Sequence, residues 1–181
     1  AKRCLIPLAE FAGHIERCGW AEFSPDGRLA AASTGENAAH CWDVRSGQQV
    51  WTRENSSTGP IHFPTGPRFS PDGHWIAIPY RGDRVHLYTT DAHMGEPVRT
   101  LKIQGSAGPL AFCADGSRLL GVAEREATVW SLPEGNVVWT VARYHPASAA
   151  DISPDGRQVA IPPTDGQSAC PTVHPDRGAR V

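Results

Sequence analysis

One five-residue phrase recurs four times along the chain, and it constrains the fold more than any other feature. Phe23-Ser24-Pro25-Asp26-Gly27 returns as Phe69-Ser70-Pro71-Asp72-Gly73, as Phe112-Cys113-Ala114-Asp115-Gly116 and as Ile152-Ser153-Pro154-Asp155-Gly156. With the aspartate as anchor, the spacings are 46, 43 and 40 residues. An aromatic residue or Ile stands three positions before each anchor. An apolar residue (Ala30, Ile76, Leu119 or Val159) stands four positions after it. A period of this length marks a chain built of repeated supersecondary units.

Proline pre-sets φ, and Asp-Gly tolerates unusual backbone angles, so each phrase reverses the chain between two strands. A short strand ends at the aromatic position. A second strand follows the turn, over 29–33, 75–79, 119–123 or 159–161. A third is expected over 39–44, 84–88 and 127–132, and a fourth over 49–52 or 137–140 after a second glycine-bearing turn. Trp42 to Trp51 and Trp130 to Trp139 are both nine residues apart, so the first and third units share an internal register. No long segment carries the i, i+3, i+4 apolar stripe of a helix. Four short strands in about 40–45 residues predict an all-β fold of antiparallel propeller blades.

Gly13-His14 ahead of the first unit, the four turns, and Trp42-Asp43 closing the third strand together resemble the WD-repeat β-propeller family, over roughly residues 5 to 170. The resemblance implies a hydrogen-bonded set that locks a blade. By position it would be His14, Ser33, Glu36 and Trp42, with Glu36 standing where the family usually has Asp. The second unit has Gly59-Pro60 at the Gly-His offset, Tyr88 in the tryptophan position and Asp83 as the turn acid. The third keeps Trp130 but follows it with Ser131. In the fourth, the stretch 168–173 lacks the signature, and Pro162, Pro163, Pro171 and Pro175 oppose a regular inner strand. Three regular blades and an irregular one are expected. Their approximate bounds are 12–58, 59–104, 105–144 and 145–181, with 4–11 as a lone outer strand.

With 181 residues, 40% hydrophobic and 20% charged, the chain can bury a core and is not of disordered composition. A net charge of −2 argues against an electrostatic nucleic-acid binder. Apolar runs such as Leu29-Ala30-Ala31-Ala32 are far shorter than a membrane-spanning helix needs. The five cysteines (Cys4, Cys18, Cys41, Cys113 and Cys170) form no CxxC pair. They read as free thiols in a reducing compartment, which points to the cytoplasm. A chain opening on Ala1 rather than Met reads as processed or as part of a longer one.

Signals for chemistry are thin. Eight histidines scatter over the units without close ligand spacing, so no metal is expected. Gly166-Gln167-Ser168-Ala169-Cys170 narrowly misses GxSxG and has no strand-then-helix context. Neither GxGxxG nor a P-loop occurs, so no cofactor is expected. Arg81-Gly82-Asp83 falls in a turn where the family expects an acid. Asn55-Ser56-Ser57 matters as a glycosylation sequon only in a secreted chain.

The expected working surface is the face carrying the connections between strands two and three and between units. There lie Glu36, Asn37, Arg81, Arg84, Glu124, Arg125, Tyr144 and His145. Tyrosine and arginine are enriched at interface anchors. The family resemblance implies a non-catalytic scaffold for protein partners. The alternative is a regulatory or substrate-gating propeller region of a larger kinase or hydrolase. Packing arithmetic leaves three arrangements: further blades in a longer protein, closure of four blades by 4–11, or two chains pairing through uncapped end blades.

Overall fold

In the computed structural model, the residues described are 18–34, 38–54, 66–80, 82–91, 96–142, 149–162 and 172–173. The predicted strand at 4–11 lies outside them. Four antiparallel sheets succeed one another along the chain, and no helix occurs among the described residues. Blade 1 holds β1 (Cys18–Phe23), β2 (Leu29–Thr34), β3 (Ala38–Asp43) and β4 (Gln49–Glu54). Blade 2 holds β5 (Arg68–Phe69), β6 (Trp75–Tyr80), β7 (Arg84–Thr89) and β8 (Arg99–Lys102). Blade 3 holds β9 (Ala107–Phe112), β10 (Arg118–Ala123), β11 (Glu126–Ser131) and β12 (Asn136–Ala142). Blade 4 shows three strands: β13 (Asp151–Ile152), β14 (Val159–Ala160) and β15 (Thr172–Val173).

The repeated phrase makes a closed six-residue turn, and the serine contributes as much as the proline and glycine. Gly27 adopts φ 71°, a conformation that favours glycine, and donates its N–H to the Ser24 carbonyl at 2.9 Å. The Ser24 hydroxyl donates to Asp26 Oδ1 at 2.6 Å and accepts the Leu29 N–H at 2.9 Å. Asp26 Oδ1 also accepts the Arg28 N–H at 3.0 Å. Ser70–Asp72 and Ser153–Asp155 repeat the pattern. In blade 3 the Cys113 thiol takes the place of the hydroxyl, donating to Asp115 at 2.9 Å and accepting the Arg118 N–H at 3.1 Å.

Each sheet buries one face against the next, giving three cores. Between blades 1 and 2 lie Ala31, Ala39, Cys41, Trp51, Phe69, Ile76, Ile78 and Tyr88. Blades 2 and 3 enclose a group that includes Val85, Leu87, Leu101, Leu110, Phe112, Leu119 and Trp130. Blades 3 and 4 enclose Leu120, Val122, Val129, Ile152, Val159 and Ile161, among others. The first strands of successive sheets approach one another: β1 with β5, β5 with β9, and β9 with β13. Polar ties add to the apolar seams. Glu22 on β1 sits 3.6 Å from Arg68 on β5, whose guanidinium lies 5.4 Å from the Trp20 ring centroid. Ala114, where the other turns have Pro, keeps an N–H and donates it to the Pro154 carbonyl of blade 4 at 3.1 Å.

Candidate interaction face

Antiparallel order places the β2–β3, β6–β7 and β10–β11 turns at one end of the blades, opposite the Asp-Gly turns. The connection from blade 2 to blade 3 binds the described part of this end together. Ile103 N–H donates to the Asp83 carbonyl at 2.9 Å, and Ala107 N–H to the Gly82 carbonyl at 2.6 Å. Gln104 N–H donates to Glu126 Oε1 at 2.6 Å. A β-carbon built on Gly105, whose φ is 98°, would lie 3.6 Å from Glu124 Cβ. Arg84, Glu124 and Arg125 are thereby brought onto one face, all three exposed. Arg84 Nε lies 3.6 Å from Asp83 Oδ1, a pair open to solvent and so weakly held. Glu36, Asn37, Arg81, Tyr144 and His145 fall outside the described residues.

For the expected locking set, His14 and Glu36 also fall outside the described residues. Ser33 pairs with Ala39, and strand alternation puts it on the side of Ala31, facing blade 2. Trp42 pairs with Ala30 and therefore lies on the other side of the same sheet, with 2% of its surface exposed. Trp42 stacks at 5.7 Å on His40, two residues earlier on β3.

The third strands also carry a recurring polar position. His40 is 8% exposed, with Nδ1 3.1 Å from Thr52 Oγ1 on β4. Thr128 is 2% exposed, with its hydroxyl 3.1 Å from that of Thr140 on β12. His86 holds the same place in blade 2, with Nδ1 3.3 Å from the Tyr88 hydroxyl. The signal was present in the sequence: each of these residues stands two positions before the aromatic that closes the third strand.

The opposite end is acidic. A cleft of about 190 Å³ between blades 1 and 2 is lined by Ser24, Asp26, Arg28, Asp43, Thr90 and Asp91, among others. The Ser24 hydroxyl and the Arg28 N–H hold the Asp26 carboxyl below its usual value, and the Ser46 N–H and hydroxyl do the same for Asp43. These acids are occupied in closing turns. Among the described residues no three His, Cys, Asp or Glu side chains gather as metal ligands. Cys41 and Cys113 are free and buried, and desolvation pushes the Cys41 thiol up to about 12, far from a reactive thiolate. No described helix is long and apolar enough to cross a membrane.

No family model matches the chain. It is 26% identical over 140 residues to the uncharacterized WD repeat-containing protein sll1491 of Synechocystis sp., covering 75% of this chain and 38% of that protein. It is 24% identical over 157 residues to Protein groucho of Drosophila melanogaster, covering 85% of this chain and 20% of that one. The chain thus spans well under half the length of either relative. Fourfold repeat, sheet order, interlocking cores and a relative named for its WD repeats agree: the chain is all-β, built as antiparallel propeller-type blades, and is similar to WD-repeat proteins.

Proposed function

We propose that the chain is a non-catalytic scaffold that presents the turns between second and third strands to a protein partner. The observation that carries this reading is the stapling of two turns to one connecting segment, whose N–H groups donate to the Gly82 and Asp83 carbonyls and to the Glu126 carboxylate. Fixed backbone lowers the ordering cost of binding, while Arg84, Glu124 and Arg125 remain exposed. Turns held by a rigid framework suit recognition.

Site-specific photo-crosslinking tests this. A photoreactive residue at Arg84 or Arg125 should give discrete adducts in a cell extract from the source organism. The same group at Asp26 or Gly47, at the other end of the blades, should not. Equal labelling at both ends, or none at Arg84 and Arg125, would rule out the proposed face.

A further inference from the structure

The seam between blades 1 and 2 contains a histidine whose surroundings favour its neutral form. His86 on β7 stacks on Tyr80 of β6, with ring centroids 4.1 Å apart and planes at 19°. Its Nδ1 lies 3.3 Å from the hydroxyl of Tyr88, whose ring belongs to the core shared by the two blades. From the other side of the seam, the Arg53 guanidinium on β4 lies over the Tyr88 ring, 5.8 Å from its centroid. The guanidinium can only donate, so its positive charge beside the ring favours a phenol oxygen turned toward it and a phenol proton turned toward His86. In that arrangement Nδ1 accepts and the histidine proton stands on Nε2.

We propose that this cluster is a pH-sensitive latch between the first two blades: proton uptake at His86 Nδ1 breaks the hydrogen bond from Tyr88 and loosens the seam. With Nδ1–H formed, the Tyr88 proton loses its acceptor. The described charges facing His86 are Arg84 on its own strand, Glu96 ahead of β8, and Arg53 through Tyr88. Burial first, and then Arg84, disfavour the imidazolium, with Glu96 opposing them. The balance lies on the neutral side.

The sign follows from linkage. His86 binds its proton less readily folded than unfolded, so the seam is intact above the ordinary histidine value of 6.5 and weakens as pH falls below it. Hydrogen exchange on the full chain reads this directly, after correction for the intrinsic effect of pH on exchange. Amides of β4 and β7 should open about five-fold more at pH near 5.5 than near 7.5, while those of β10 and β11 change little. His86→Phe keeps a ring against Tyr80 but takes no proton, and should abolish the difference. His86→Gln serves the same purpose if the phenylalanine variant does not fold. A wild-type chain with no excess opening at low pH, or a variant that retains it, would overturn the proposal. No partner enters the measurement, so its outcome is independent of the interaction reading.

Discussion

Phe23 and Phe69 occupy the same place in successive blades, three residues before the turn aspartate, yet Phe23 is 62% exposed and Phe69 5%. Phe69 enters the core shared with blade 1, whereas Phe23 projects from the other side of blade 1. Equal sequence position therefore carries unequal energy. Phe69→Ala should cost about 3–5 kcal/mol, the range for emptying a buried aromatic site. Phe23→Ser should change stability by about 0.5 kcal/mol or less, as exposed substitutions do. Urea denaturation of the two variants compares them directly, and equal losses would contradict the assigned faces.

Gly121 and Trp130 form a second tight pair. A β-carbon on Gly121 would come within 2.6 Å of the Trp130 ring. Trp130 is 1% exposed and cannot retreat from the core it shares with blade 2. Gly121→Ala should cost about 1–3 kcal/mol by overpacking. Ala32 holds the equivalent place in blade 1, paired with His40 as Gly121 is with Thr128. The prediction is thus specific to blade 3, and Ala32→Gly should give no gain in melting temperature.

Cys113 stands in for serine in the third turn, and its thiol makes both contacts that serine makes elsewhere. Cys113→Ser should leave stability within about 1 kcal/mol of the parent. Cys113→Val fills the space but offers neither donor nor acceptor, and should cost about 1–3 kcal/mol through the unsatisfied Arg118 N–H. A valine variant as stable as the serine variant would show the turn bonds to be dispensable.

The turn acids set a pH dependence. The Cys113 thiol above all, then Ser117, holds the Asp115 carboxyl down to about 2. The Ser24 and Ser153 hydroxyls lower Asp26 and Asp155. A folded value below the unfolded value of 3.8 means that this stabilisation is present above that pH and is lost as pH falls through the folded value. Denaturation midpoints should therefore decline as acid is added from about pH 4 toward 2, and Asp115→Asn should make the decline shallower. An unchanged slope in that variant would sever the link between turn and acid stability.

The repeat made the blades legible because every turn residue acts locally. Gly27, Gly73, Gly116 and Gly156 all have φ near 70°, as the Asp-Gly positions require. Trp42 and Trp51, and Trp130 and Trp139, share a register because each outer strand skips one residue, Val50 or Val138, against its neighbour. What local reading missed depended on the partner strand. β8 carries no tryptophan and was not foreseen. Which side of a strand a residue takes is also set by pairing: Ala39 opposite Ser33 turns it toward blade 2, and Ala30 opposite Trp42 turns that ring to the other side. The interior roles of His40, His86 and Thr128 likewise appear only once strand three is seen buried. The turn serines carry a role that the phrase alone does not display: the hydroxyls of Ser24, Ser70 and Ser153 each accept an N–H that closes the loop.

The scaffold reading is tested most directly by affinity. For the protein captured by cross-linking at Arg84, the dissociation constant should be measured against the parent chain and against Arg84→Glu combined with Arg125→Glu. Truncated or reversed anchors at an interface typically cost about 1–2 kcal/mol or more, so the double variant should bind at least about ten-fold more weakly. Arg28→Glu, at the opposite end, should bind as the parent does. An unchanged constant in the double variant, with the parent's melting temperature retained, would contradict the assignment of this face as the working surface.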